Sequence, residues 1–321
     1  MAQTCPACGH QWGGRREEQR IDRKAALAAY DKLREVQQEI LFTLYRLDIL
    51  SQQTIGDTFF QATESKKRNE TAGKNLVVLE RAGLVVRHDA EAKYHFKVFY
   101  SLSPEGMYAC TNVEKQGRPI RKVRESKAKA LKSSIHFQHH LYLADVVCSF
   151  IAEERKGHGE LLDFQGDGEV CYVFPFLGSR RRLQPDSTVL WTNGEEPYLF
   201  FLELENRHST LRDAEEKVKK YVFMSAAGYN TGDYFRKTLG QTEFPPLLIV
   251  GVRRNQLIGL RRSIINGVLQ AHAGMLPDVS RRVVIALAAL DDIKAQGVLG
   301  TCWECPLQAK ACGFEALFRL N

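Results

Sequence analysis

Apolar residues repeat at helical spacing through the first part of the chain and then alternate with polar residues. These patterns predict three helices and two strands, over 34–50, 55–60, 65–82, 84–87 and 96–102. The polar turn at 51–54 fits an N-cap for the second helix. Three helices followed by a two-stranded ribbon are typical of a winged helix-turn-helix, and we predict such a domain over 25–112.

The third predicted helix has basic and polar residues along one side. The DNA-contact candidates on it are Lys66, Lys67, Arg68, Lys74 and Asn75. A helix in the major groove presents lysine to phosphates and asparagine to base edges, so we predict contact with double-stranded DNA. The alternative is a winged helix that docks a protein and has a solvated basic face.

The second half of the chain alternates between helical and strand patterns. The predicted order is one helix, three strands, a helix, a strand, a helix and a strand, over 134–154, 169–176, 183–191, 198–205, 211–227, 244–252, 253–273 and 281–289. This order is typical of an α/β domain, which we place at 133–295. The fold class predicted for the whole chain is mixed, α+β to α/β.

Acidic residues stand at the ends of two predicted strands in this domain. Asp186 follows Pro185 and precedes one strand, and the next strand ends at Glu203 and Glu205. Alternate strand residues face the same way, so these two glutamates would share a side. Converging carboxylates suit Mg²⁺ or Mn²⁺, with Asp186 and Glu203 as ligands. The alternative is a turn aspartate with solvated strand-end acids.

This layout resembles the PD-(D/E)xK nuclease fold, in which an aspartate and a glutamate on adjacent strands bind a divalent cation. The resemblance implies a lysine two positions after the glutamate, where this chain has Glu205 instead. Lysines are available on the following helix, and we assign the charge-stabilising role to Lys217. The catalytic candidates are therefore Asp186, Glu203, Glu205 as an accessory ligand, and Lys217.

Three short motifs carry a closer resemblance. They are Leu183-Gln-Pro-Asp186, Phe201-Leu-Glu-Leu-Glu205-Asn-Arg207 and Lys217-Val-Lys-Lys-Tyr221. Together they resemble the replication-relaxation family of bacterial plasmids and mobile elements, over roughly 35–260. The resemblance implies a winged helix joined to a nuclease-like domain.

The positive charge of the chain is concentrated in one segment. The formal net charge is +7, and the segment 113–132 contains eight basic and two acidic residues. We predict that this segment is a basic linker in which Arg121 and Lys122 contact DNA phosphates without selecting a sequence. The alternative is a solvated linker.

Cysteines crowd the two ends, which we set apart as 1–24 and 296–321. Cys5 and Cys8 form a Cys-Pro-x-Cys-Gly motif that resembles a zinc-ribbon knuckle, and a closed structural zinc site needs four ligands. We predict that Cys302 and Cys305 complete one zinc-ribbon-like site joining the termini, with Cys312 or His10 as substitutes. Two alternatives stay open: an iron–sulfur cluster, since Cys302, Cys305 and Cys312 resemble the cysteine staple of some recombination nucleases, and frayed tails without metal.

The hydropathy pattern favours a cytoplasmic protein. No apolar run approaches the roughly 18 residues that a membrane helix needs, and the first residues form no apolar signal segment. We therefore expect no membrane partner.

Two functions fit these observations. In the first, a plasmid or mobile-element protein reads DNA with the winged helix and cleaves it with Mg²⁺ or Mn²⁺. In the second, the nuclease-like domain is degenerate, and the chain is a DNA-binding regulator that recruits a replication or transfer protein. A homodimer is compatible with both.

Overall fold

The computed structural model describes residues 3–4, 11–12, 22–60, 64–89, 98–114, 137–166, 170–195, 197–206, 210–227, 244–273, 283–308, 310–312 and 314. Its α-helices in these residues are α1 Arg23–Asp31, α2 Glu35–Leu47, α3 Gln52–Phe59, α4 Ser65–Arg81, α5 Pro104–Glu114, α6 Phe137–Arg155, α7 Leu211–Ala226, α8 Leu257–His272 and α9 Leu290–Gln296. Its strands are β1 Gln3–Thr4, β2 Gln11–Trp12, β3 Ile49–Ser51, β4 Val85–Asp89, β5 Val98–Leu102, β6 Glu160–Gln165, β7 Tyr172–Phe176, β8 Ser179–Leu183, β9 Ser187–Thr192, β10 Pro197–Glu205, β11 Leu247–Gly251, β12 Ile285–Ala289, β13 Trp303–Cys305 and β14 Lys310–Cys312. The mixed α/β class is confirmed.

Helices α1 to α5 pack around a small antiparallel sheet in the order β3-β5-β4. The Ser51 hydroxyl accepts a hydrogen bond from the Thr54 N–H at 3.0 Å and caps the N-terminus of α3. The helix predicted over 34–50 is too long. It ends at Leu47, Asp48 takes a positive φ of 63°, and the next residues pair with β5 as strand β3.

A seven-stranded sheet forms the centre of the second half, in the order β14-β13-β12-β11-β10-β9-β6. The strands β10, β11 and β12 are parallel, and the other pairs are antiparallel. Because α7 connects β10 to β11 and α8 connects β11 to β12, both crossover helices pack on one face of the sheet.

The pleat of β10 separates its side chains between the two faces. Phe200 and Leu202 face α6 and α9, whereas Leu199 and Phe201 face α7 and α8. Glu203 continues the second series. The periodicity of a buried strand therefore directs its terminal carboxylates towards α7.

Helix α6 belongs to both halves of the protein. Its Cys148 packs in the core of the N-terminal helices, while Phe150 packs against the sheet. Its buried Asp145 accepts a hydrogen bond from Thr54 on α3 at 2.5 Å and forms an ion pair with Lys294 on α9 at 2.5 Å. This shared helix fixes the position of α3 relative to the sheet.

Two strand predictions need correction. The strand predicted over 183–191 is interrupted, because β8 ends at Leu183 and β9 begins at Ser187, with Pro185 in the connection. Proline has no N–H for a ladder hydrogen bond, which favours a break there. The strand predicted over 169–176 is β7, which lies outside the large sheet in a hairpin with β8.

The helices were compared with what a membrane span requires. Across the described segments, none of them is both long enough and apolar enough to cross a bilayer.

Candidate functional site

The site lies where β10 ends beside helix α7. Asp186 directly precedes β9, which is the antiparallel neighbour of β10. Helix α7 begins at Leu211 because Thr210 and Asp213 form a capping box: the Thr210 hydroxyl accepts from the Asp213 N–H at 3.2 Å, and the Asp213 carboxylate accepts from the Thr210 N–H at 2.8 Å. This start sets the helical phase that turns Lys217 towards the sheet.

The Lys217 ammonium lies among three carboxylates. Its Nζ is 2.8 Å from Glu203 Oε2, 3.2 Å from Glu205 Oε1 and 3.6 Å from Asp186 Oδ2. The side chains of Glu203 and Glu205 are 2% and 3% exposed, that of Asp186 is 16% exposed, and Lys217 at 33% is the most exposed member of the cluster. The structure thus brings the four predicted catalytic candidates into one cluster.

Three further groups fix the carboxylates. The Tyr221 hydroxyl donates to Glu203 Oε1 at 2.6 Å, and the Leu204 N–H donates to Asp186 Oδ2 at 2.8 Å. The His139 Nε2 on α6 lies 3.4 Å from Asp186 Oδ1. Asp186 is therefore held from the strand, from α6 and from α7.

Burial and neighbouring charges shift the pKa values in opposite directions. Burial and then the nearby Asp186 raise the pKa of Glu203 to about 8, against the opposing effects of Lys217 and Tyr221. Burial also tends to raise the pKa of Asp186, but hydrogen bonding from His139 and the charge of Lys217 hold it well below its usual range. Burial tends to lower the pKa of Lys217, yet the carboxylates raise it above its ordinary value. The site therefore favours an ionised Asp186 and a cationic Lys217, while Glu203 holds a proton more readily than an ordinary glutamate.

One carboxylate oxygen in the cluster is left without a partner. Glu205 Oε2 is buried and forms no hydrogen bond in the part of the chain that the structure describes. A cavity of about 190 Å³ adjoins this residue. It is lined by Glu205, Asn206, Thr210, Leu211, Asn255, Gln256, Gly259 and Leu260. A buried carboxyl oxygen without a donor is costly, so the site has an unused hydrogen-bond acceptor.

The cluster contains oxygen donors of the kind that hard cations bind, but they are arranged around an ammonium. Asp186 and Glu203 offer carboxylate oxygens, which Mg²⁺ and Mn²⁺ prefer, and Glu205 Oε2 adds one unused acceptor. Within the described ranges, no group of three or more His, Cys, Asp or Glu side chains is placed to hold a metal together. The ammonium of Lys217 is the charge that balances the acids in this arrangement.

Sequence reasoning missed two members of the cluster, His139 and Tyr221. Tyr221 stands four residues after Lys217 and so shares its helical face, which is a signal that the sequence does contain. His139 had no such signal, because its contact with Asp186 depends on how α6 packs on the sheet.

Four basic residues on α4 are predicted to contact DNA, and three of them are exposed. Lys66, Lys67 and Lys74 are exposed, with Lys67 paired to Glu64 at 3.0 Å. Arg68 forms an ion pair with Asp57 on α3 at 2.9 Å. The basic residues of α4 are thus mostly accessible.

Asn75 does not fit the DNA-contact prediction. Its side chain is buried: Oδ1 accepts from Arg34 at 2.8 Å and from Gln37 at 3.1 Å, and Nδ2 donates to the Thr71 carbonyl at 2.9 Å. Asn75 therefore ties α4 to α2 and cannot reach a base edge. Lys74, one position earlier, faces solvent.

The remaining predicted residues lie largely outside the described chain. Arg121, Lys122, Cys5, Cys8 and His10 are in this group, and so is the side chain of Cys312. Cys305, the last residue of β13, is buried in the core, and Cys302 Sγ lies 3.6 Å from the Gly297 carbonyl oxygen. The shared zinc site and its iron–sulfur alternative stay predictions.

Comparison with known proteins identifies one family. The family model described as replication-relaxation matches residues 41–236, more than half of the chain. No curated protein matches the sequence.

Two solved structures are weakly similar to the chain. One is the restriction endonuclease FokI bound to DNA, with a TM-score of 0.29 and 14% identity, covering 88% of this chain and 46% of that one. The other is a structure of restriction endonuclease FokI, with a TM-score of 0.27 and 11% identity, covering 99% of this chain and 79% of that one. The chain thus spans less than half the length of the first, and similarities this low carry no argument about fold or activity.

Proposed function

Because the chain belongs to the replication-relaxation family, we propose that it is a DNA-binding protein with a PD-(D/E)xK-like site that cleaves DNA with Mg²⁺ or Mn²⁺. The observation that carries the proposal is the cluster of Asp186 and Glu203 with Lys217 at the end of β10. The chain lacks the lysine that the PD-(D/E)xK pattern places at position 205, where it has a glutamate. Lys217 supplies that charge from α7, within 2.8 Å of Glu203.

The burial of the cluster supports a functional role. Removing carboxylates and an ammonium from water costs several kcal/mol per ion, on the order of what their pairing returns. If the domain were only a structural scaffold, apolar residues at these positions would stabilise it equally well. Perturbed pKa values that converge at a cleft are the pattern expected of a site that performs chemistry.

The chain's own residues have distinct tasks in this proposal. Asp186 and Glu203 would hold the divalent cation, which activates water and stabilises charge on the phosphate. The Leu204 N–H and His139 orient Asp186, and Tyr221 orients Glu203. Lys217 stays cationic, so it can stabilise the negative charge that develops on a phosphodiester beside the acids.

We propose that α2 to α4 and the ribbon β4–β5 form a winged-helix reader within 25–112. The exposed Lys66, Lys67 and Lys74 on α4 support a DNA contact. The segment 113–132 would add phosphate neutralisation, and 133–295 would form the nuclease-like domain. The Thr54–Asp145 hydrogen bond would connect reader and nuclease-like domain.

A second function has one specific observation in its favour. Lys217 contacts all three acidic side chains, so part of their negative charge is already compensated within the fold. A degenerate domain that only supports the reader, and recruits a replication or transfer partner, would retain such a pairing.

Cleavage of supercoiled plasmid separates the two functions. With Mg²⁺ or Mn²⁺, the wild type should nick or linearise the plasmid, and Asp186→Asn should lose at least about 100-fold in rate, because a charged metal ligand is removed. Glu195→Gln, at the exposed turn of the same β-hairpin, is the matched control and should cleave normally. If purified wild type neither cleaves nor gains thermal stability with any divalent ion, the second function stands.

Adjacent residues on α4 test the reader. Asn75→Ala should lower the free energy of unfolding by about 1–3 kcal/mol, because it leaves buried partners unsatisfied, while the folded protein keeps its DNA affinity. Lys74→Ala should do the reverse: weaker DNA binding, and a change in stability within about 0.5 kcal/mol. Chemical denaturation and fluorescence anisotropy measure both. Lost affinity in the folded Asn75 variant would argue that this side chain does reach DNA.

A further inference from the structure

The hairpin β7–β8 has no task in the proposed function, yet it leads directly into the site. Only Gln184 and Pro185 separate the end of β8 from Asp186. The strands pair Val173 with Arg182 and Pro175 with Arg180. At about 3.3 Å per residue, five residues of β8 extend roughly 16 Å from the site to the tip.

The inner face of the hairpin is anchored to the site's own elements. The Tyr172 ring contacts Phe201 on β10 at 5.5 Å between centroids, and Phe176 stacks on Phe223 of α7 at 4.5 Å. Phe174 between them is fully buried. The hairpin therefore has a fixed position relative to Lys217, which is on the same helix as Phe223.

The outer face is basic and exposed. Arg180 and Arg182 lie on this face, whereas Arg181 between them pairs with the buried Phe174 and points to the other side; the sequence has no acidic residue from 170 to 185. Among the residues with described positions, none of the three forms an ion pair with a carboxylate. Arg181 lies over the Phe223 ring at 5.6 Å, and Arg182 bonds to Gln184 at 3.0 Å, so both are held in place without being neutralised. This surface fits a polyanion.

The tip has an apolar residue that the turn itself disfavours. Leu177 and Gly178 both have positive φ angles, 48° and 74°, as a two-residue type I′ hairpin turn requires. Asparagine or glycine is the usual residue at the first position, whereas leucine there is strained. Leu177 is also 80% exposed. A strained and exposed leucine is unfavourable in the protein alone, which points to a partner for it.

We propose that the β7–β8 hairpin is a DNA-binding arm, in which Arg180 and Arg182 contact phosphates and Leu177 wedges against the bases. Arginine on a β-ribbon suits phosphate contact, and apolar wedges at the tips of such elements unstack base steps. The arm would hold the duplex beside Asp186. The proposal rests on the proposed function in one respect, that the polyanion at this site is DNA.

The arginines are tested by DNA binding in EDTA, so that cleavage plays no part. Replacing Arg180 and Arg182 together by Gln should weaken binding to a labelled duplex about tenfold. It should also reduce the slope of log affinity against log salt by about 1.8, since about 0.9 is lost per phosphate contact. Arg262→Gln, an exposed arginine on α8, is the matched control and should leave both unchanged.

The wedge is tested with Leu177→Asn. Asparagine tolerates positive φ, so the hairpin should fold at least as well, while the apolar tip is lost. Duplexes with 2-aminopurine at successive positions should brighten on binding wild type at one base step, and the variant should lose that signal.

Three results would overturn the proposal. They are wild-type affinity and salt slope in the double arginine variant, an unchanged 2-aminopurine signal in Leu177→Asn, and arginine-dependent binding to anionic lipid vesicles in place of DNA. Each is distinct from a failure of the proposed function, which would appear as absent cleavage by wild type.

Discussion

Replacing Lys217 with Met should lower the free energy of unfolding at pH 8 by about 3 kcal/mol. The ammonium lies within 3.6 Å of the buried Glu203 and Glu205 and the half-buried Asp186, and removing it leaves these acids without a nearby positive charge. Breaking a buried ion pair from one side costs about 3–5 kcal/mol, and the partial exposure of Lys217 favours the lower end. The same variant should lose cleavage, because the charge beside the phosphate is gone. Urea denaturation and the plasmid assay measure the two effects.

Lys220→Met is the matched control on the same helix. Lys220 is exposed and outside the cluster, so its replacement should change stability by less than about 0.5 kcal/mol. Adding Asp186→Asn to Lys217→Met should recover part of the lost stability, because the ionised carboxylate left without the nearby ammonium is removed; the coupling energy measures the interaction directly. Equal effects at positions 217 and 220 would mean that the lysine does not balance the acids.

The sequence was sufficient to place the acids of this site. A buried strand alternates strictly, so Glu203 and Glu205 had to share a face, and both contact Lys217 as that pattern predicts. Asp186 was predicted beside the strand that neighbours β10, and it directly precedes β9, although the strand predicted over 183–191 is broken at Pro185. Such features are local, because they depend only on the period of one strand and on one hairpin.

The rest of the site depends on packing that no local pattern encodes. Lys217 was chosen for the charge-stabilising role among several lysines on α7, and the docking of the helix on the sheet is what brings it to the acids. His139 reaches Asp186 from α6 for the same reason. The prediction that Asn75 contacts DNA failed for the same reason. The sequence of a basic helix does not show whether a polar residue on it faces DNA or another helix.

The boundary errors in the fold have a similar origin. Ile49 and Leu50 continue the helical spacing of apolar residues in α2. A strand paired with β5 buries them equally well, and the positive φ of Asp48 ends the helix before them. Strands β13 and β14 extend the sheet from the segment 296–321, which the sequence presented only as a cysteine cluster. Short edge strands have too few residues for a period to be recognised.

The stability of the metal-free protein should fall as pH rises from about 5 to 8, and Glu203→Gln should remove this dependence. Burial and the neighbouring Asp186 raise the pKa of Glu203 to about 8, whereas the unfolded chain titrates near the ordinary value of 4.5. Between these values the folded state binds a proton that the unfolded state has released. The stabilisation is therefore complete below about 4.5 and is lost as pH rises through 8. The slope from this one group is at most about 1.4 kcal/mol per pH unit.

Divalent cations should stabilise the protein more strongly as pH rises, because a carboxyl group must lose its proton before it can bind a metal. The rise in melting temperature caused by Mg²⁺ should grow from pH 6.5 to 8.5, as the proton on Glu203 becomes easier to displace, and titration calorimetry in two buffers should detect its release. Glu195→Gln, exposed on the β9–β10 turn, controls for a general charge effect and should behave as wild type. A Mg²⁺ response that is equal at both pH values, or that survives in Glu203→Gln, would place the cation somewhere other than this carboxylate.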